Sequence, residues 1–117
     1  MKIAVIGGAG VRTPLLASGL AASDLPLEEV TLFDTDRERL GSIAPLADRL
    51  AEGVRVRASE SVEECVEGAD FVFTSFRVGG IEARARNEAA ALKLGLVGQE
   101  TTGFAGCAMA LVTIPEM

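Results

Sequence analysis

The sequence predicts an α/β fold, an open and largely parallel sheet with helices on both faces. Short β-branched apolar runs recur along the chain, helical patterns alternate with them, and glycines mark the joints. Lys2 to Gly7 (KIAVIG) suits a central parallel strand buried on both faces. Gly7-Gly8-Ala9-Gly10 turns the chain at once. Thr13 then offers an N-cap hydroxyl ahead of Pro14, whose fixed φ suits a first helical position. Leu15, Leu16 and Leu20 give this helix its apolar face, and Val30 to Phe33 (VTLF) reads as a second strand closed by Asp34.

The next helix carries an apolar stripe at Leu40, Ile43, Ala44, Ala47, Leu50 and Ala51, with Gly53 as its stop. Pro45 inside the stripe predicts a kink or a break, because it removes an N–H and crowds the preceding turn. Val54 to Ala58 alternates Val-Arg-Val-Arg-Ala, as an edge strand with one exposed face would. Ser61 with Glu64 forms a capping box for a short helix that ends at Gly68. Phe71 to Phe76 (FVFTSF) reads as a buried strand, and Ile81 to Leu94 as a helix ending at Gly95. Ala105 to Met117 reads as a further helix that runs to the last residue, so the chain is expected to be truncated. Right-handed crossovers between parallel strands then predict the N-terminal half of a doubly wound sheet, in spatial order 3-2-1-4, as one domain over residues 1–117.

Composition narrows the function. The chain has 117 residues, 49% of them apolar, which is enough for one packed core. Its net charge is −6 and its Lys and Arg form no block, which argues against nucleic acid or an anionic membrane surface as a partner. No apolar run reaches the length of a membrane span, no signal-peptide pattern is visible, and a cytoplasmic location is expected. Cys65 and Cys107 lack metal-ligand spacing and read as buried reduced thiols. There is no histidine, which excludes a histidine-based triad or a histidine-containing zinc site within these residues.

The joint after the first strand carries chemistry. A dinucleotide needs glycines where the backbone approaches its pyrophosphate, and a helix N-terminus whose N–H groups hold the phosphate oxygens. Gly8-x-Gly10-x-x-Thr13 supplies both, with Thr13 in place of a third small residue. Asp34 ends the second strand, where an acid accepts hydrogen bonds from the adenosine ribose. A carboxylate there repels a 2′-phosphate, so a Rossmann-type site for NAD rather than NADP is predicted. The candidate cofactor residues are Gly7, Gly8, Ala9, Gly10, Val11, Arg12, Thr13 and Asp34. Arg77 and Gly79 join them, because Arg77-Val78-Gly79-Gly80 leaves the fourth strand on the ligand side of such a sheet. A tight glycine turn with Asp34 capping the next helix also fits these residues, as do a methyltransferase of similar topology and a FAD-binding domain.

Further along, "RVGGIEARARNE", "LKLGLVGQETTG" and "AMALVTIPEM" closely resemble glycoside hydrolase family 4, and "IGGAGVRTP" and "LFDTD" match that family's cofactor loop and strand-two acid. The resemblance covers the whole chain. It implies an NAD- and Mn2+-dependent glycosidase, in particular a 6-phospho-β-glucosidase, of a family that also holds 6-phospho-α-glucosidases and α-galactosidases. Hydride removal from sugar C3 would acidify the C2 proton, the aglycone would leave by elimination, water would add, and the hydride would return. The paired carboxylates of ordinary glycosidases are then not required.

Carried over residue by residue, the resemblance places Arg84 and Asn87 at the substrate and Glu100 of the "QE" pair as a catalytic acid. On spacing alone, Glu82 with Arg86 and Arg84 with Glu88 are i,i+4 pairs that would stabilise an exposed helix without any function. Ala9-Gly10-Val11-Arg12 departs from the family's loop, which usually reads Gly-Gly-Gly-Ser followed by Thr and an aromatic, and Gly103-Phe104-Ala105-Gly106 departs from its "GPGG". The family's metal-binding Cys and His and its catalytic base match nothing here, so no metal ligand is assigned within residues 1–117, and the catalytic and oligomerisation portion is expected to be absent. The full-length protein is expected to be a homodimer or homotetramer acting on a phosphorylated glycoside. A lactate/malate-type dehydrogenase domain and a non-catalytic NAD-binding module share the loop and acid and remain alternatives.

Overall fold

The structure, a computed structural model, describes residues 1–99 and 102–116. It divides into two compact units, Met1–Phe76 and Arg77–Met117. The first holds β1 (Lys2–Ile6), α1 (Thr13–Ala21), β2 (Glu29–Phe33), α2 (Arg37–Leu50), β3 (Arg55–Ala58), α3 (Val62–Val66) and β4 (Phe71–Thr74). The second holds α4 (Gly80–Lys93), α5 (Gly103–Thr113) and a short 3-10 turn over Ile114–Glu116.

The four strands are parallel and lie in the order β3-β2-β1-β4, as the sequence predicts. From β1 the chain steps outward to β2 and β3, then returns across the sheet to β4. Right-handed crossovers therefore place α1 and α2 on one face and α3 on the other. Strand alternation sorts the side chains accordingly. Ile3, Val5, Val30, Leu32 and Val56 join Ala17 of α1 and Leu40, Ala44 and Ala47 of α2 in the main core. Thr31 instead lies near Cys65 of α3, whose thiol donates to the Thr31 carbonyl at 3.4 Å.

Local signals held with instructive exceptions. Helix α1 begins at Thr13 itself, with Arg12 at the N-cap and no side-chain cap; Thr13 is buried within the first turn and Pro14 follows inside the helix. Pro45 neither breaks nor ends α2, which runs from Arg37 to Leu50. The proline is exposed, away from the buried Leu40, Ala44 and Ala47, so the carbonyl it cannot serve is left to water. Ser61 caps α3 by accepting from the Glu64 N–H at 3.1 Å. Glu64 reaches back to the N–H of Glu60 at 2.8 Å, one residue before the usual box partner.

The predicted buried strand needs correction for this chain: β4 is the outer strand of its four-stranded sheet, with Phe71, Val72 and Phe73 at 57%, 46% and 38% exposure. Within its unit it pairs with β1 alone, and the helices gather over β1, β2 and β3. A short apolar run reads the same in a central or an edge strand. Cys107 is likewise exposed, whereas Cys65 is buried, and both are free thiols.

At the entry of the sheet, Lys2, Glu29 and Arg55 stand side by side in register. Glu29, mostly buried, takes Arg55 at 2.5 Å, Arg57 at 3.2 Å and Lys2 at 3.9 Å, and accepts from the Thr31 hydroxyl at 3.2 Å. Burial, the largest single influence, pushes its pKa up. The hydrogen bond from Arg57, the charges of Arg55 and Arg57 and the Thr31 hydroxyl together outweigh it and hold the carboxyl below the ordinary 4.5. A lowered folded value means stability that is complete above the unfolded value and fades as pH falls through the folded one. Glu29→Gln should cost about 2 kcal/mol near neutrality. It should also flatten the loss of stability below pH 4.5, read from urea midpoints across acid pH.

Candidate functional site

The loop between β1 and α1 is shaped by the carboxyl end of β2. Gly7 and Gly8 both donate to the Phe33 carbonyl at 2.8 Å, and Ala9 donates to Asp34 Oδ2 at 2.9 Å. Asp34 Oδ1 accepts from Asp36 N–H at 3.0 Å, so each carboxylate oxygen holds one bond and keeps acceptor capacity. Thr13 N–H turns back to the Gly10 carbonyl at 3.0 Å. Among the described residues no protein acceptor takes the N–H groups of Gly10, Val11 and Arg12. Three consecutive donors thus remain for a ligand at the start of α1, where the helix dipole favours an anion.

The loop glycines have different reasons to be glycine. Gly7 has φ +90°, and a Cβ there would lie 2.3 Å from the Ser75 carbonyl oxygen that follows β4. A Cβ on Gly8 would lie 2.8 Å from Leu32 Cβ. Gly10 is free of both constraints, since its φ is not positive and the nearest protein atoms would be 3.6 Å away. The fold does not require glycine at position 10, whereas a ligand lying close on the loop would. Ala9, in contrast, turns its methyl into the main core. Of the expected cofactor residues, then, Ala9 and Thr13 are buried supports and Val11 and Arg12 form the exposed rim.

The second unit carries the other candidates. Gly79 has φ +75° and forms the N-cap of α4; a Cβ on it would lie 2.8 Å from Ala83 Cβ. Arg77 Nη1 contacts Met109 Sδ at 3.3 Å. Arg84 Nε bonds Glu88 Oε1 at 2.7 Å, the i,i+4 pair expected from spacing, and Asn87 stands three residues on, half-buried. Glu100, the expected catalytic acid, lies outside the described residues. Among the described residues no group of three or more His, Cys, Asp or Glu could hold a metal ion, and no helix is long and apolar enough to cross a membrane. Burial pushes the Cys65 thiol up, which suits an inert core position.

One residue at the exit of β2 carries no signal in the sequence. Arg37 opens α2, three positions after Asp34. Its Nη1 donates to the Ser59 carbonyl at 2.7 Å, its Nη2 donates to the Glu60 carbonyl, and its guanidinium lies 4.9 Å over the Phe33 ring. The aromatic residue before the acid was the only local hint; the carbonyls come from the far end of β3.

A parallel sheet in this order, a glycine loop joining its first strand to a helix, and an acid ending its second strand define a nucleotide-binding fold of the Rossmann type. The chain belongs to family 4 of the glycosyl hydrolases, whose model matches residues 2–117. It is 39% identical over 98% of its length to the 6-phospho-beta-glucosidase BglT of Thermotoga maritima, of which it covers 28%. A Thermotoga maritima 6-phospho-beta-glucosidase structure with manganese, NAD+ and glucose-6-phosphate superposes with a TM-score of 0.90 at 39% identity, over 99% of this chain and 30% of that one. A 6-phospho-alpha-glucosidase from gut microorganisms, in complex with NAD and glucose-6-phosphate, gives 0.86 at 31%, over 100% of this chain and 29% of that one. The chain therefore spans less than a third of the length of these relatives.

The different demands on the loop glycines are testable without ligand. Gly7→Ala should cost about 2 kcal/mol or more, because backbone must move as well as adopt a strained φ. Gly10→Ala should stay within about 0.5 kcal/mol of the parent. Chemical denaturation of the two variants checks both.

Proposed function

We propose that this chain is the dinucleotide-binding part of an NAD-dependent 6-phospho-β-glucosidase. The observation that carries the nucleotide reading is Gly10, a glycine the fold does not need, set among three unclaimed N–H groups beside Asp34. These N–H groups would bind the pyrophosphate oxygens, with Arg12 adding charge at the rim. Asp34 would accept the adenosine ribose hydroxyls on its remaining lone pairs, and its charge would disfavour a 2′-phosphate, hence NAD over NADP.

Relatives described with NAD and glucose-6-phosphate support the sugar-phosphate assignment. Arg84 and Asn87 would then contact the substrate, with Glu100 as the acid near it. Bound to such a site, NAD supplies a hydride acceptor that can be restored within each turnover. Among the described residues no cluster of three or more His, Cys, Asp or Glu could hold manganese, and its ligands are proposed to lie outside residues 1–117. The full-length protein is proposed to be a cytoplasmic homodimer or homotetramer.

Calorimetric titration of the chain with NAD should give weak, saturable binding. Gly10→Val should keep the fold and weaken binding at least tenfold, since its side chain would occupy the ligand's place; equal binding by Gly10→Val would overturn the cradle. The isolated chain should not turn over p-nitrophenyl 6-phosphoglucoside with Mn2+, NAD and a reductant, and clear turnover would place the chemistry within these residues after all.

A further inference from the structure

We propose that Arg37 is the platform on which the adenine base of the cofactor stacks, a specificity contact outside the glycine loop and its acid. The proposal rests on the nucleotide reading above. Three restraints fix this side chain: the Ser59 carbonyl at 2.7 Å, the Glu60 carbonyl, and the Phe33 ring 4.9 Å below the guanidinium. An arginine at a helix start needs none of these for helix stability, and ordering so long a side chain carries an entropic cost. The fork edge points at the carbonyls and one face covers Phe33. Arg37 is nevertheless exposed, so part of the side chain stays open to a ligand.

The covalent order of a dinucleotide decides what would meet that face. The pyrophosphate belongs at the loop that follows β1, and Asp34 at the end of β2 receives the ribose. The base is bonded to ribose C1′, next to the C2′ hydroxyl, and on the other side of the sugar from the pyrophosphate. It therefore points away from β1 and toward the ends of β2 and β3, where Phe33, Ser59 and Glu60 hold Arg37. A flat, weakly hydrated cation held over an aromatic ring is a good stacking surface for an electron-rich purine.

The test compares ADP-ribose with ribose 5-diphosphate, which keeps the ribose and pyrophosphate but has no base, by calorimetric titration of this chain. Arg37→Ala should weaken ADP-ribose about three- to tenfold. It should leave ribose 5-diphosphate affinity nearly unchanged. Arg37→Lys keeps the charge and one carbonyl bond but has no flat face, and should show the same base-selective loss, which covers the case in which Arg37→Ala folds poorly. Equal weakening of both ligands would make Arg37 a latch for the loop and overturn the platform. Unchanged ADP-ribose affinity in both variants would overturn it too. Wild-type chain that binds neither ligand would instead overturn the nucleotide reading on which the proposal rests.

Discussion

The carboxyl end of β2 divides the N–H groups of the glycine loop into two sets, and the site depends on that division. The Phe33 carbonyl takes Gly7 and Gly8 and the Asp34 carboxylate takes Ala9, so the first three donors are spent on the protein. The next three, on Gly10, Val11 and Arg12, have no protein acceptor among the described residues. Were the loop tied down further along, no donors would face a phosphate; were it tied less, the free donors would have no fixed direction. Asp34 therefore has a structural role in the loop as well as the recognition role proposed for it, and its substitution would disturb both.

The sheet separates its ion-pair network from the proposed binding site along its length. At the entry of the strands, Lys2, Glu29 and Arg55 stand in register and Arg57 closes an ion-pair network over Glu29. At the exit of the same strands lie the glycine loop, Asp34 and Arg37. A parallel sheet aligns all its carboxyl ends on one side, so a ligand that spans two strand ends finds its contacts without help from the opposite edge. The close approach of Gly7 to the Ser75 carbonyl sits where strand order reverses, between β1 and β4, and keeps the loop low against the sheet.

Much of this was legible in the sequence because it is local. Strand order 3-2-1-4 followed from alternating elements and crossover handedness, and the glycine loop with Asp34 followed from spacing. The family was legible in the "VGQETTG" block and its neighbours, and the family match over residues 2–117 agrees. What was not legible depends on partners distant in sequence. "FVFT" carries no mark of an edge strand, because exposure depends on what packs beside it. Thr13 looked like a cap, but the Gly10 carbonyl draws its N–H into the first turn. Arg37 shows its place only once β3 brings Ser59 and Glu60 beside it, 22 and 23 residues on. The Arg84–Glu88 pair was foreseeable from i,i+4 spacing, yet such a pair fits a substrate arginine and a merely exposed helix equally well.

The central claim is that the unclaimed loop donors hold a dinucleotide pyrophosphate. Its most direct measurement is an amide correlation spectrum of the chain titrated with NAD. Saturable shifts led by the amides of Gly10, Val11 and Arg12, accompanied by Asp34, are the expected result. Saturable shifts elsewhere with these amides unmoved, or no saturable shift at all, would contradict it.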